Sequence, residues 1–251
     1  MFPLFYRLSA ALLAFTAGAT LRAEPEIIPR ARAYLGTEAA LDAVRSIHYS
    51  GTMSVANPAD PAKPVTLTID IVFQVPFRQR TVRTTDALTD TVALDTYEGW
   101  HRVQEVKDPT HWRLQVLATD QVKRQRAIVL ENISFYRGLE REGGQVSDLG
   151  STTAGGVACR KIAFIHAPDI VYYRYFDETT GRLILTETED GSTIREQGEI
   201  RAGGLRFPKV IINTAKLAGG KEQTVTIAFD SITVNEVFPD STFAIPSFTA
   251  K

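Results

Sequence analysis

The chain has 251 residues, 44% of them hydrophobic and 23% charged, with 28 Lys and Arg against 29 Asp and Glu, 17 Gly, 12 Pro and one cysteine. This length and apolar content suit a globular domain able to bury a sizeable core, and the ordinary Gly and Pro usage excludes collagen-like, coiled-coil and disordered readings. A net charge of −1 supplies no general drive toward nucleic acid or anionic lipid, although it leaves room for a local patch, and a single cysteine excludes an intramolecular disulfide.

The first twenty-three residues read as a secretory signal peptide. Arg7 precedes an uncharged, largely apolar run from Leu8 to Leu21 that ends at Arg22, with small residues at Ala17, Gly18, Ala19 and Ala23. About 14 residues at 1.5 Å each give a helix of only ~21 Å, short of the ~30 Å hydrocarbon core. Cleavage is expected after Ala23, with a cut after Ala19 as the alternative. The 28 basic residues less Arg7 and Arg22 leave 26 against 29 acidic ones, a mature charge of about −3. Residues 24–251 are then expected to form one soluble, exported domain. Cys159 lies too deep in the chain to be a lipidated first residue.

Helical signals open the mature chain. Thr37 is placed to cap a helix starting at Glu38, with Leu41 and Val44 on its apolar side, and Gly36 separates it from the Ile27 to Leu35 segment. Strands follow. Ile47, Tyr49, Met53 and Val55 alternate with His48, Ser50, Thr52 and Ser54, and Val65, Leu67, Ile69, Ile71, Phe73 and Val75 alternate with Thr66, Thr68, Asp70 and Gln74. Further strands are expected at 78–84, 91–97, 100–106 and 111–117, and, in the second half, at 157–165, 171–177, 183–189, 193–200, 209–214 and 225–234. Between the two sets Val122, Val129, Ile133 and Tyr136 recur at offsets of 0, 7, 11 and 14, predicting an amphipathic helix from Thr119 to Gly138. The expected fold is mainly β within an α+β class: one curved antiparallel sheet of about eleven strands, with helices on one face.

The order of these elements, and several phrases within them, resemble the LolA/LolB-like superfamily of periplasmic lipoprotein carriers. Ala33 to Val44, followed by the Ile47 strand and its Gly51, is similar to the family's opening helix and first strand. Tyr97-Glu98-Gly99-Trp100, Asp177 to Leu183, Gly204-Leu205-Arg206-Phe207-Pro208 and the closing Val234 to Pro246 resemble its recurrent turns and its ending. The resemblance implies an unclosed β-barrel whose mouth is covered by helices, residues 119–138 among them, over an apolar cavity for acyl chains. It implies a periplasmic location. No arginine here matches the carrier's functional arginine.

Other chemistries find little support. His48, His101, His111 and His166 are far apart and lack metal-ligand spacing, so no metal is expected. Cys159 sits in an alternating strand without a nucleophile signature and reads as a buried structural thiol. No nucleophile elbow, phosphate loop or dinucleotide fingerprint is present, so no enzyme activity and no cofactor are expected. Glu187, Glu189 and Asp190 read as exposed strand-end charges. Lys123, Arg124 and Arg126 gather at the start of the covering helix, against its dipole, and read either as a solvated face or as a contact for an acidic partner or phosphate headgroup.

A carrier of acyl chains needs a dry concave wall, and the candidates are Met53, Leu67, Ile69, Ile71, Phe73, Trp100 and Trp112 from the strands, with Val129, Ile133 and Tyr136 from the helix. The same periodicity fits a plain core. Three functions are weighed: a monomeric exported carrier or sensor of a lipid or lipoprotein acyl chain, acting without covalent chemistry and without nucleic acid; a module that binds an envelope membrane protein without a ligand cavity; and an exported hydrolase with an unrecognised site.

Overall fold

The computed structural model describes residues 24–56, 63–217 and 220–246, so the leader read in residues 1–23 lies outside it. Two short helices open the described chain, α1 (Ile27–Leu35) and α2 (Glu38–Asp42), separated at Gly36 as expected. Thr37 Oγ1 accepts a hydrogen bond from the Ala40 backbone N–H at 3.2 Å, the cap read from the sequence.

Six strands then run as a meander: β1 (Ser46–Val55), β2 (Val65–Gln74), β3 (Arg78–Thr84), β4 (Leu88–Asp95), β5 (Glu98–Glu105) and β6 (Trp112–Val116). Helix α3 (Thr119–Ile133) follows. The second set is β7 (Gln145–Ala154), β8 (Val157–Ala167), β9 (Ile170–Asp177), β10 (Leu183–Thr188), β11 (Thr193–Gln197), β12 (Ile200–Ala202), β13 (Leu205–Phe207), β14 (Val210–Lys216) and β15 (Glu222–Val234).

Thirteen strands form one antiparallel sheet in the order β6-β5-β4-β3-β2-β1-β15-β14-β11-β10-β9-β8-β7, and β12 and β13 form a separate hairpin. The chain thus builds the sheet outward from β1 to one edge at β6, crosses by α3 to the other edge at β7, and returns to pair β15 with β1. β6 and β7 remain separate edges, so the barrel is unclosed. Helix α3 packs on β2, β3 and β4 on the side where the sheet curls.

Two strand expectations change. β7 was not expected, because its alternation is broken by a register shift between Asp148 and Ser151 around Gly150, whose φ is +92°. The hairpin of β12 and β13 has three residues per strand, too few for a period to show. The covering helix is also shorter than expected. It ends at Ile133, and Phe135 and Tyr136 adopt left-handed φ values of 49° and 74°, so Tyr136 lies beyond the helix although its offset fits the helical period.

Both faces of the sheet are covered. On the concave face one cluster joins Ile47, Tyr49, Phe73, Phe77 and Leu94 with Val129 and Ile133 of α3, and a second joins Ile27, Ile28 and Ala31 of α1 with Ile162, Phe164 and Phe176. On the convex face, residues 235–246 run back across the first strands. Asn235, with φ +65°, starts this segment: its Oδ1 accepts from the Arg45 N–H at 2.6 Å and its Nδ2 donates to the Ala43 carbonyl at 3.1 Å. The segment then rests on Phe243, fully buried, whose carbonyl accepts from Trp100 Nε1 at 2.8 Å.

Candidate functional site: the concave face and its helical cover

The strand register sorts the expected wall residues by face. Ile47, Tyr49, Gly51 and Met53 of β1 stand opposite Phe73, Ile71, Ile69 and Leu67 of β2, so Met53, Leu67, Ile69, Ile71 and Phe73 share the concave face. Trp100 pairs with Ala93, Ala93 with Arg80, and Arg80 with Val72, which stands beside His48 on the opposite face. Trp112 pairs with Gln104, two residues along from Arg102 and four from Trp100. Both tryptophans therefore belong to the convex side, and the structure does not bring them together with the other wall candidates.

Under α3 the concave space is filled. The Tyr49 ring meets Phe73 at 6.1 Å, Phe207 at 6.0 Å and Phe229 at 4.9 Å, and Val129, Ile133 and Phe135 close on this group from the helix side. Tyr136 joins the other cluster instead, 4.9 Å from Phe176 and 6.2 Å from Phe164. Burial pushes the phenols of Tyr49 and Tyr136 well above the ordinary tyrosine range. Farther along the same face Ile211, Ile227, Met53 and Leu67 stand in one row across β14, β15, β1 and β2, each partly exposed. At ~4.8 Å per strand this row is roughly 14 Å wide.

Charged groups fasten the cover. Glu131 of α3 receives His166 Nε2 at 2.7 Å and Arg174 Nη2 at 2.6 Å, with all three side chains no more than 9% exposed. Arg174 also lies over the rings of Tyr136 and Phe164, at 4.7 and 5.1 Å. At the other end of α3, Arg126 donates to the Thr96 carbonyl at 2.9 Å and lies 3.7 Å from the Phe77 ring centre, while Arg124 pairs with Glu189 at 2.6 Å. Two of the three basic residues at the helix start are thus engaged within the molecule, and Lys123 is exposed.

Arg32 of α1, only 2% exposed, donates to the Phe135 carbonyl at 2.9 Å and pairs with Glu38 and Asp42 at 2.6 and 3.1 Å, so a cation meets the carbonyl end of α3. Arg32, Glu131 and Arg174 were not expected as interior groups. A sequence signal exists for the first two, since Arg32 falls on the apolar stripe of Ile28, Ala31 and Leu35, and Glu131 falls one turn after the buried Ala127.

A cavity of about 290 Å³ lies between α1 and the second half of the sheet, lined by Tyr34, Leu35, Tyr136, Glu196, Arg206 and Phe207 among others. Glu196 pairs in register with Ile211, next to the apolar row. Glu196 is exposed, and partial desolvation by the surrounding walls raises its carboxyl above the ordinary value, with Arg174 opposing the rise. The arrangement offers an apolar surface with a few buried charges.

The histidines do not converge. His48 contacts Asp70 and Glu236, His101 contacts Asp90, His111 contacts Glu105 and His166 contacts Glu131. Among the described residues no group of three or more His, Cys, Asp or Glu is arranged to hold a metal. Cys159 is buried beside Ala154 and Tyr175, and burial pushes its thiol up. Glu187 accepts from the Tyr175 hydroxyl at 2.8 Å, Glu189 accepts the Val171 N–H, and Asp190 holds its own turn through Thr188 and Ser192.

No family model and no curated protein sequence matches this chain. Solved structures do. An outer membrane lipoprotein-sorting protein domain from Vibrio parahaemolyticus superposes with a TM-score of 0.57 at 10% identity, covering 86% of this chain and 95% of that one. A LolA superfamily protein from Nitrosomonas europaea gives 0.55 at 12% identity over 86% and 97% of the two chains, and a DUF1329 family protein from Desulfovibrio piger gives 0.55 at 7% over 87% and 95%. This chain shares its fold with these three structures, an unclosed antiparallel barrel with helical cover.

Proposed function

We propose that this protein is an exported, periplasmic carrier or sensor that binds a hydrophobic ligand, a lipid or a lipoprotein acyl chain, on the concave face of its half-barrel without covalent chemistry. The observation that carries this reading is the row of Ile211, Ile227, Met53 and Leu67, which continues the filled core beneath α3 as partly exposed apolar surface. Each CH₂ group moved from water onto such a surface stabilises the complex by about 0.8 kcal/mol, so about ten buried CH₂ groups supply the roughly 8 kcal/mol that micromolar binding requires, before the entropic cost of association. The fold shared with a lipoprotein-sorting domain and a LolA superfamily protein supports the reading. Of the expected wall, Met53, Leu67 and Ile71 form the ligand surface in this proposal, and Ile69, Phe73, Val129, Ile133 and Tyr136 form the packed floor and cover.

A second reading has its own observation. The aromatic group around Tyr49 fills the space beneath α3, and the ion cluster at Glu131 pins the helix, which suits a module that binds an envelope membrane protein and keeps its interior shut. Native mass spectrometry of protein released gently from the periplasm separates the two. Co-purifying lipid supports the carrier, whereas a stoichiometric protein partner with no lipid overturns it in favour of the module.

A further inference from the structure

The convex face carries a second feature, independent of the concave one. Between the sheet and the returning segment 240–246 lies a cavity of about 440 Å³ whose lining includes Arg80, Arg102 and Trp100. Among the described residues that line it are two arginines and no acidic residue. The neighbouring Arg78 is spoken for, since it pairs with Asp95 at 2.9 Å and Asp240 at 2.7 Å. The Arg80 side chain forms no hydrogen bond or ion pair with any described residue. Arg102 has its flat face 5.0 Å from the Trp112 ring centre, and its Nε, shut off from solvent, has no hydrogen-bond acceptor.

The register explains how the two charges come to share one cavity. Arg80 stands opposite Ala93 and Arg102 opposite Thr91, so their strands β3 and β5 flank β4 about 10 Å apart, within reach of two long side chains converging on a common guest. Ala93, small, leaves the space between them open, and Trp100 is held upright on its far side by its bond to the Phe243 carbonyl. Two unneutralised cations in one recess, one with a buried unsatisfied donor, are costly in the free protein and become favourable when an anion with several acceptor oxygens enters. Thr89, Thr91, Ser241 and Thr242 add hydroxyl donors for the remaining oxygens.

The geometry points to a phosphate-binding site in this convex recess, with Arg80 and Arg102 as the paired guanidinium ligands and Trp100 as an apolar flank for whatever the phosphate is esterified to. The positive recess stands out in a chain whose overall charge is slightly negative. Guanidinium forks match tetrahedral oxyanions by paired N–H donors, and a doubly charged phosphate balances both arginines, which a single carboxylate does not. Free phosphate and a phosphate headgroup of a lipid share this chemistry.

The chain supplies its own probe, because Trp100 and Trp112 are its only two tryptophans and both adjoin the recess. Intrinsic tryptophan fluorescence of the full chain is titrated with inorganic phosphate and, separately, with monomeric dihexanoyl phosphatidic acid, at ionic strength held constant with sodium chloride. A saturable change with either probe, weakened roughly tenfold or more by R80Q and abolished in R80Q/R102Q, supports the site. Equal affinity for the two probes assigns it to phosphate itself, and a tighter complex with the lipid assigns it to a headgroup. Circular dichroism and melting temperature check that R80Q is folded, as expected for a residue without internal partners. No saturable change with either probe, a change reproduced by chloride alone, or undiminished binding by a folded R80Q/R102Q protein overturns the proposal. None of these results depends on the concave face.

Discussion

Replacing Glu131 by alanine removes the carboxylate from a buried cluster and leaves the Arg174 guanidinium without its counter-charge and His166 without its hydrogen-bond partner. The Glu131 side chain is 6% exposed, and those of His166 and Arg174 are 9% exposed. Arg174 loses its 2.6 Å contact, and its Nε already lacks a hydrogen-bond acceptor. Stripping one partner from such a buried pair typically costs about 3–5 kcal/mol, because the remaining charge stays desolvated. For a chain of this size, roughly 2–4 °C per kcal/mol converts that to a melting temperature lower by about 6–20 °C. The double replacement Glu131→Leu with Arg174→Met removes both charges at similar volume and should recover most of the loss, since an apolar pair often serves as well as a buried ion pair. Thermal and urea unfolding followed by circular dichroism measure all three proteins. A Glu131→Ala loss below about 1 kcal/mol, or a double variant worse than the single one, would refute the view that this cluster fastens α3 to β8 and β9.

Three further outcomes follow from named contacts. At His48, burial disfavours the charge, but the ring nitrogens bonded to Asp70 and Glu236 outweigh it and raise its pKa, while Glu236 is lowered chiefly by His48; the contact therefore stabilises most between about pH 4.5 and 6.5 and fades as pH rises through the folded His48 value, so the melting-temperature deficit of His48→Gln should shrink toward alkaline pH. At Gly51, where the β1–β15 register shifts, an added Cβ would lie 2.1 Å from the Ala228 carbonyl oxygen, so Gly51→Ala should cost about 3 kcal/mol in urea unfolding. Arg32→Met should cost about 2–4 kcal/mol and speed amide exchange at the end of α3, because the Phe135 carbonyl loses its donor and Glu38 its buried partner.

What was legible in the sequence, and what was not, follows from the physics of a sheet covered on both faces. Period-two patterns located most strands, and the Thr37 cap located α2, because those signals are local. The phrases that carried the resemblance turn out to be backbone punctuation: Gly181, at φ +76°, lies so close to α1 that an added Cβ would stand 2.6 Å from the Arg30 backbone, Gly204 turns β12 into β13 at φ +78°, and Asn235 fastens the end of β15. They specify the fold and say nothing of a ligand. Trp100 and Trp112 have the right alternation for a wall, but alternation does not tell which face is concave when the other face is covered by residues 235–246. Tyr136 fits a helical offset while the backbone has already left the helix. The buried charges Arg32, Glu131 and Arg174 interrupt apolar patterns, and distant partners explain them: Arg32 reaches Phe135, 103 positions away, and Arg174 reaches Glu131, 43 positions away.

The claim that the concave face binds a hydrophobic ligand is tested most directly at its exposed row. Ile133, 7% exposed against Phe73 and Val129, is too deeply packed for the purpose, since a carboxylate there would cost the fold itself several kcal/mol. Met53 and Leu67 stand opposite each other at the open end, both partly exposed, and tolerate a charge better. The measurement is a titration of delipidated protein with a fluorescent fatty acid, comparing wild type with Met53→Glu/Leu67→Glu. Saturable one-site binding by the wild type, weakened at least tenfold in a variant that still melts cooperatively, is the predicted result, about 1.4 kcal/mol or more of lost affinity. No saturable binding by the wild type, or equal binding by the two proteins, would contradict the account.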